Sequence, residues 1–316
     1  MSYHATALSR ALALVLAAAP WLVRPLRAQG GLDLTVDHVG LAIGDVPEVT
    51  GIRLNFRDSA LRRVTGINAT IWAPYDNAGS GTVNGVALGL PVTGAGQING
   101  VATGIFGVGA GRGITGLGVA PIGIGAGDEL RGIMVGGIGV GAGGGVEGLS
   151  VAGIGVGAGG DVRGISIGGI GVGGGGRVTG LTIGGIGVGA GGDLTGVNVG
   201  GVGVGSGGTV KWLSVAGVGV GAPRVEGLAA ALAVGGVDVR GVAIAPAYFT
   251  VGSSTESGTL TGVAASAWNR VQGAQHGVTI GVVNTAHQLR GLQIGVVNYT
   301  RDNPRWRRLL PLVNWN

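Results

Sequence analysis

The sequence predicts an all-β chain wound as a parallel β-solenoid of about sixteen coils, each 14–16 residues long. Three observations predict it. Glycine recurs at a fixed interval: Gly100, Gly116, Gly132, Gly148, Gly164, Gly180 and Gly196 stand sixteen residues apart, and Trp212 takes the next place. Looser copies start at Gly51, Gly66 and Gly85, and again at Gly227, Gly241, Gly262, Gly277 and Gly291. Each unit carries two short alternations of apolar and small residues, the period of a strand. Successive units are near copies in one orientation, so each can stack on the one before it.

The unit GLTIGGIGVGAGGDLTG (residues 180–196) shows the internal order. An apolar residue stands two places before the anchor glycine (Val178) and a polar one directly before it (Thr179). Leu181 and Ile183 follow the anchor, and Ile186 and Val188 come after a glycine pair. The two apolar pairs differ in parity, so a straight strand would place them on opposite faces. A bend at Gly184-Gly185 is expected to turn both pairs toward one interior. Glycines are then expected to supply positive φ at the corners. Gly187 and Gly189 leave one face of the second strand almost bare, which suits close packing on another sheet, a neighbouring molecule or a terminal segment. At about 4.8 Å per coil, sixteen coils make a rod on the order of 75 Å long.

The competing architecture is an outer-membrane up-and-down β-barrel, which unit length and alternation both permit. Two features weigh against it. Barrel strands keep one face apolar throughout, whereas these units change phase midway. Consecutive barrel strands also reverse direction, which does not suit units copied in one orientation.

Composition narrows the class further. Of 316 residues, 74 are Gly, yet there is no Gly-X-Y period and there are only 10 Pro, which excludes collagen. At 45% hydrophobic and 11% charged, the chain does not read as ordinary disorder. Residues 1–28 read as a secretory signal: Arg10 precedes the apolar run Ala11–Ala19, and cleavage is expected between Ala28 and Gln29. That segment carries Arg10, Arg24 and Arg27 and no acid, so the remainder is close to neutral and has no nucleic-acid signature. Residues 29–50 are expected to form an N-terminal cap, 51–300 the repeat domain and 301–316 a C-terminal cap. The absence of Cys removes any disulfide framework.

Local function is sought where the pattern breaks. The unit from Gly66 to Gly85 is lengthened around Trp72 and Tyr75, and the unit from Gly241 to Gly262 around Tyr248 and Phe249. Extra residues in a solenoid coil become loops on one side, and exposed aromatics suit partner contact. Arg305, Trp306, Arg307 and Arg308 form a basic, aromatic cluster, read as a cap on the last coil or as a contact with anionic lipid or polysaccharide. No catalytic, cofactor-binding or metal-ligating set is predicted. The motif G-x-G-x-x-G recurs in coil after coil without a helix, whereas a dinucleotide site needs it once, between strand and helix. Asp161 and Asp193 do not recur in consecutive coils, as a calcium ladder requires. The column Ser150, Ser166, Thr182, Ser214 is interrupted by Asn198, which counts against a flat water-ordering ladder.

The last units, GVTIGVVNTAHQLR and GLQIGVVNYTRDNPR, share Asn284 and Asn298 and lead into a Leu-Pro-Leu-Val-Asn tail. Residues 277–314 resemble the bacterial surface repeat-containing proteins named after a leptospiral envelope protein, with looser likeness over 85–276. The resemblance implies an exported, envelope-associated protein and supplies no catalytic residues. The expected function is an exported, non-enzymatic surface or envelope repeat protein with a structural or adhesive role. Its location would be the cell surface, the outer membrane, the periplasm or the medium. Its partners would be envelope components, polysaccharide or copies of itself, without nucleic acid and without cofactor. A barrel pore or scaffold and a carbohydrate-binding or carbohydrate-active solenoid are the alternatives.

Overall fold

The computed structural model describes residues 31–72, 80–253 and 255–316. Signal segment 1–28 and Tyr75 lie outside these residues. The chain is a parallel β-solenoid of about fourteen turns and not a barrel. In the repeat core each turn has one long and one short strand. Val178–Gly184 is a long strand and Gly187–Ala190 a short one. Each pairs in register with its counterparts one coil away: Val178 lies between Val162 and Leu194, and Val188 between Val172 and Val204. The parallel direction removes the barrel alternative, because no hairpin links neighbouring coils. The short-strand ladder begins only at Val92, so the first units contribute one strand each to the wall.

The glycines divide into three kinds. Anchor glycines from Gly51 to Gly291 hold φ between 107° and 147°, a region L side chains avoid. A Cβ on any of them would also lie well under 3.0 Å from the anchor carbonyl one coil earlier; at Gly180 that oxygen belongs to Gly164. The positive φ therefore sits in the middle of the long strand, not at the corners as expected. Corner glycines such as Gly185 are needed for a different reason: a Cβ there would strike the carbonyl of Gly169 in the coil below. Gly189 is free on both counts. It has no positive φ, and nothing lies within 4 Å of where its Cβ would be. The expected bare outer face of the short sheet is present.

The interior differs from the expected one. Val178, Thr182, Gly184, Val188 and Ala190 point inward, whereas Leu181 and Ile183 are only half-buried and Ile186 is 53% exposed. Of the two apolar pairs, only Val188 is in the core. The reason is width. A Cβ on Gly184 would already clash with the Gly187 carbonyl, so the walls nearly touch near this corner and only small side chains fit between them. The bend at Gly184-Gly185 exists, but it does not bring Leu181 inside. Thr182 takes that place, with Ser150, Ser166, Asn198 and Ser214 in the same buried column. The Thr182 hydroxyl donates to Asn198 Oδ1 at 2.6 Å. A water-ordering outer ladder is therefore absent from this column.

Each end is closed by an antiparallel strand. Leu32–Val36 pairs antiparallel with Val39–Ile43 at the start, and Leu309–Trp315 lies antiparallel on the last coil. Near that end the Val188 column gives way to an asparagine ladder. Asn269 donates to Asn284, and Asn284 to Asn298, both at 2.7 Å; Asn298 in turn donates to the Leu310 carbonyl at 3.2 Å. The amide nitrogen of each is thereby satisfied inside the rod, as burial demands, while the Asn269 side-chain oxygen at the head of the ladder accepts no bond.

The three glycine kinds make opposite predictions for one substitution. Gly180→Ala should lose about 2 kcal/mol or more, since strain and clash coincide. Gly189→Ala should gain about 0.5–1 kcal/mol. Urea unfolding of both variants measures this, and equal losses would refute the division.

Candidate functional site: an apolar face along the rod

The outward positions of the long strands form continuous columns. One place after the anchor stand Ile133, Ile165, Val197, Leu228 and Val242, and three places after it Val135, Val215, Ile244, Ile280 and Ile294, all exposed. At the adjoining corner Ile138, Ile154, Ile170, Ile186, Val202 and Val218 add a third exposed column. The width exclusion described above puts them there. Five residue steps of about 3.3 Å across and about fourteen coils of 4.8 Å along make a face of roughly 1,100 Å². Monomeric proteins seldom expose a contiguous apolar patch larger than about 300–600 Å².

Over residues 129–240 charge is confined to one edge of this face. Every Asp, Glu, Lys and Arg from 129 to 240 stands one or three places before the anchor position. Six are basic (Arg131, Arg163, Arg177, Lys211, Arg224, Arg240) and six acidic (Glu129, Glu147, Asp161, Asp193, Glu226, Asp238). Along the edge Arg131 pairs with Glu129 and, at 3.7 Å, with Glu147, while Arg163 pairs with Asp161. Asp161 and Asp193 also have backbone tasks. They accept the N–H groups of Arg177 and Thr209 in the next coil at 2.7 and 2.9 Å. The Thr209 N–H holds the Asp193 carboxyl below the usual aspartate range. These bonds account for the two aspartates without calcium.

Trp212 interrupts the anchor column beside the apolar columns. Its φ is 82° and it is 71% exposed. A tryptophan in left-handed backbone stores strain of about 1–3 kcal/mol, and such strain tends to cluster at functional positions.

The residues singled out from sequence are scattered. Trp72 is exposed near the N-terminal end. Tyr248 and Phe249 are not in a loop at all: they open the short strand Tyr248–Val251, below Trp268 and Asn269 of the next coil. Phe249 is fully buried in the Val188 column, which corrects its assignment to a contact loop. Tyr248 meets Trp268 edge-on, 5.7 Å between ring centres. At the far end Arg307 stacks between Trp306 and Trp315, at 5.4 and 4.9 Å, and Arg308 donates to the Asn303 carbonyl at 3.1 Å. Arg305 and Trp306 are exposed.

Sequence reasoning missed two features. One is Trp268, legible only once the Tyr248 column is known. The other is a buried ionic cluster near the start. Arg53 pairs with Asp58 and, at 2.7 Å, with Asp45; it also donates to Asn68 Oδ1 at 2.8 Å and to the Val46 carbonyl at 2.7 Å. Thr70 and Asn55 donate to Asp58 at 2.9 and 2.7 Å. With its guanidinium and both carboxylates satisfied inside the protein, the cluster reads as a structural pin. Beside it runs an open groove of about 1310 Å³ lined by Leu54, Phe56, Ile71, Leu90 and Ile105, a widening of the same apolar face. The chain matches no protein-family model, no curated protein and no solved structure.

Two outcomes test this description. Trp212→Gly should raise the stability of the isolated rod by about 1 kcal/mol, as strain is relieved at a position built for glycine; a lower unfolding midpoint would contradict it. The Asp193 carboxyl, followed by NMR, should titrate below an unstructured aspartate, and the Thr209 amide shift should move with it. Its folded-state pKa is lowered, so its contribution is present above the unfolded pKa and lost as pH falls through the folded one. A midpoint above the unfolded value would refute the bond.

Proposed function

We propose that the protein is an exported, non-catalytic repeat rod of the bacterial cell surface or envelope, and that it acts by contact along its apolar face. The observation carrying this reading is the face itself. It runs through coil after coil, holds no charged side chain over residues 129–240 and is bordered by a balanced charged edge. A surface this large needs a partner or a non-aqueous neighbour. The role of the rod is then to hold that surface flat and rigid over its length. The apolar run of residues 11–19 supports export, and the resemblance over 277–314 supports an envelope location.

Fractionation of a bacterium expressing the tagged chain tests the reading. The expected product begins at Gln29 and is found with the envelope or outside the cell. A cytosolic product that retains Met1 would overturn it.

A further inference from the structure

We infer that the apolar face binds a second copy of this chain, the two rods lying antiparallel and face to face. This deepens the proposed contact role and rests on that reading of the face. Area is the first argument: roughly 1,100 Å² exceeds the ~800 Å² per partner of a standard stable interface. Period is the second. Sheets stack about 10 Å apart, and a partner with the same 4.8 Å coil repeat keeps side-chain columns in step along the whole length.

Charge decides between a copy and a lipid surface. Amphipathic surfaces that lie on anionic membranes carry an excess of Lys and Arg on the polar side. Over residues 129–240 six basic and six acidic residues share the edge, which gives no net attraction to such a membrane but is self-complementary. It also decides the direction. A two-fold axis in the interface, perpendicular to the rods, lays charged edge on charged edge and apolar corner on apolar corner. Parallel rods would set each charged edge against the other copy's apolar corner column. Full overlap of two antiparallel rods centres the axis near the Gly164 coil, and that register lays Glu147 of one copy along Arg177 of the other. Trp212 then stands within the contact, where large aromatics commonly anchor interfaces. Its strained backbone is explained by association, not by folding.

Light scattering coupled to size exclusion of the purified protein tests the inference. Wild type should run at twice the chain mass. The double variant Ile165→Lys, Val197→Lys should run as a folded monomer, with strand content unchanged by circular dichroism. Gly189→Ser with Gly205→Ser, on the bare face of the short sheet, should remain dimeric. Glu147→Arg and Arg177→Glu should each raise the dissociation constant about tenfold, and combining them should restore it. Should the lysine variant misfold, the surface charge reversals still decide. A monomeric wild type, a monomer that floats with phosphatidylcholine vesicles, dissociation by the serine variants alone, or no restoration in the double reversal would each overturn the proposal. A monomer found in the envelope defeats this inference alone, whereas a dimer retained in the cytosol defeats only the proposed location.

Discussion

The fold depends on one close approach, repeated in every coil. At each anchor the chain turns through a positive φ, and the carbonyl of the anchor below occupies the space a Cβ would need. The coils pair in register on both sides of it, along the whole long strand. Glycine at these positions is thus a geometric requirement. It weakens an isolated strand by roughly 0.5–1 kcal/mol relative to alanine, and the parallel ladder compensates. Trp212, at φ 82°, is the one exception between Gly51 and Gly291, and it sits beside the apolar columns.

The interior is thin as well, because the walls of each coil nearly touch at the Gly184 corner. Ser150, Ser166 and Thr182 fit where Leu or Ile would not, and at Met134 the neighbouring coil supplies Gly118 to make room. Past the anchor, the large aliphatic side chains of the long strand are then left with the outer wall, whereas Leu130 and Leu194 before it stay inside. An ordinary globular domain places its branched residues inside and its small polar ones outside. This rod does the reverse over the half of each long strand that follows the anchor. The thin interior therefore creates the surface that needs covering.

Much of this was legible in the sequence, and the rest failed for identifiable reasons. The sixteen-residue spacing from Gly100 to Gly196, with units copied in one orientation, was sufficient for a parallel solenoid. Parity in GLTIGGIGVG also located the bend at Gly184-Gly185. What parity could not give was the width of the interior. Assuming that apolar means inside placed Leu181 and Ile183 in the core, where Thr182 in fact lies. Phe249 was misread because a lengthened unit need not loop at its aromatic residues; the column continues through it. Arg53 carried no local sign of its ion pairs, since Asp45 and Asp58 reach it from either side of the coil. The buried asparagine ladder was half visible, as the matching Asn284 and Asn298; its first member, Asn269, lies in a unit with no shared motif.

The antiparallel strands Leu32–Val36 and Leu309–Trp315 have a further consequence. A stack of parallel coils offers at each tip an open template on which another molecule could continue, and unprotected sheet edges invite fibril growth. Here strands of the opposite sense occupy the edges of the first and last coils, so another molecule would meet a terminal strand and not a coil. The stack of parallel coils is thereby bordered at both tips by a strand that the same chain supplies.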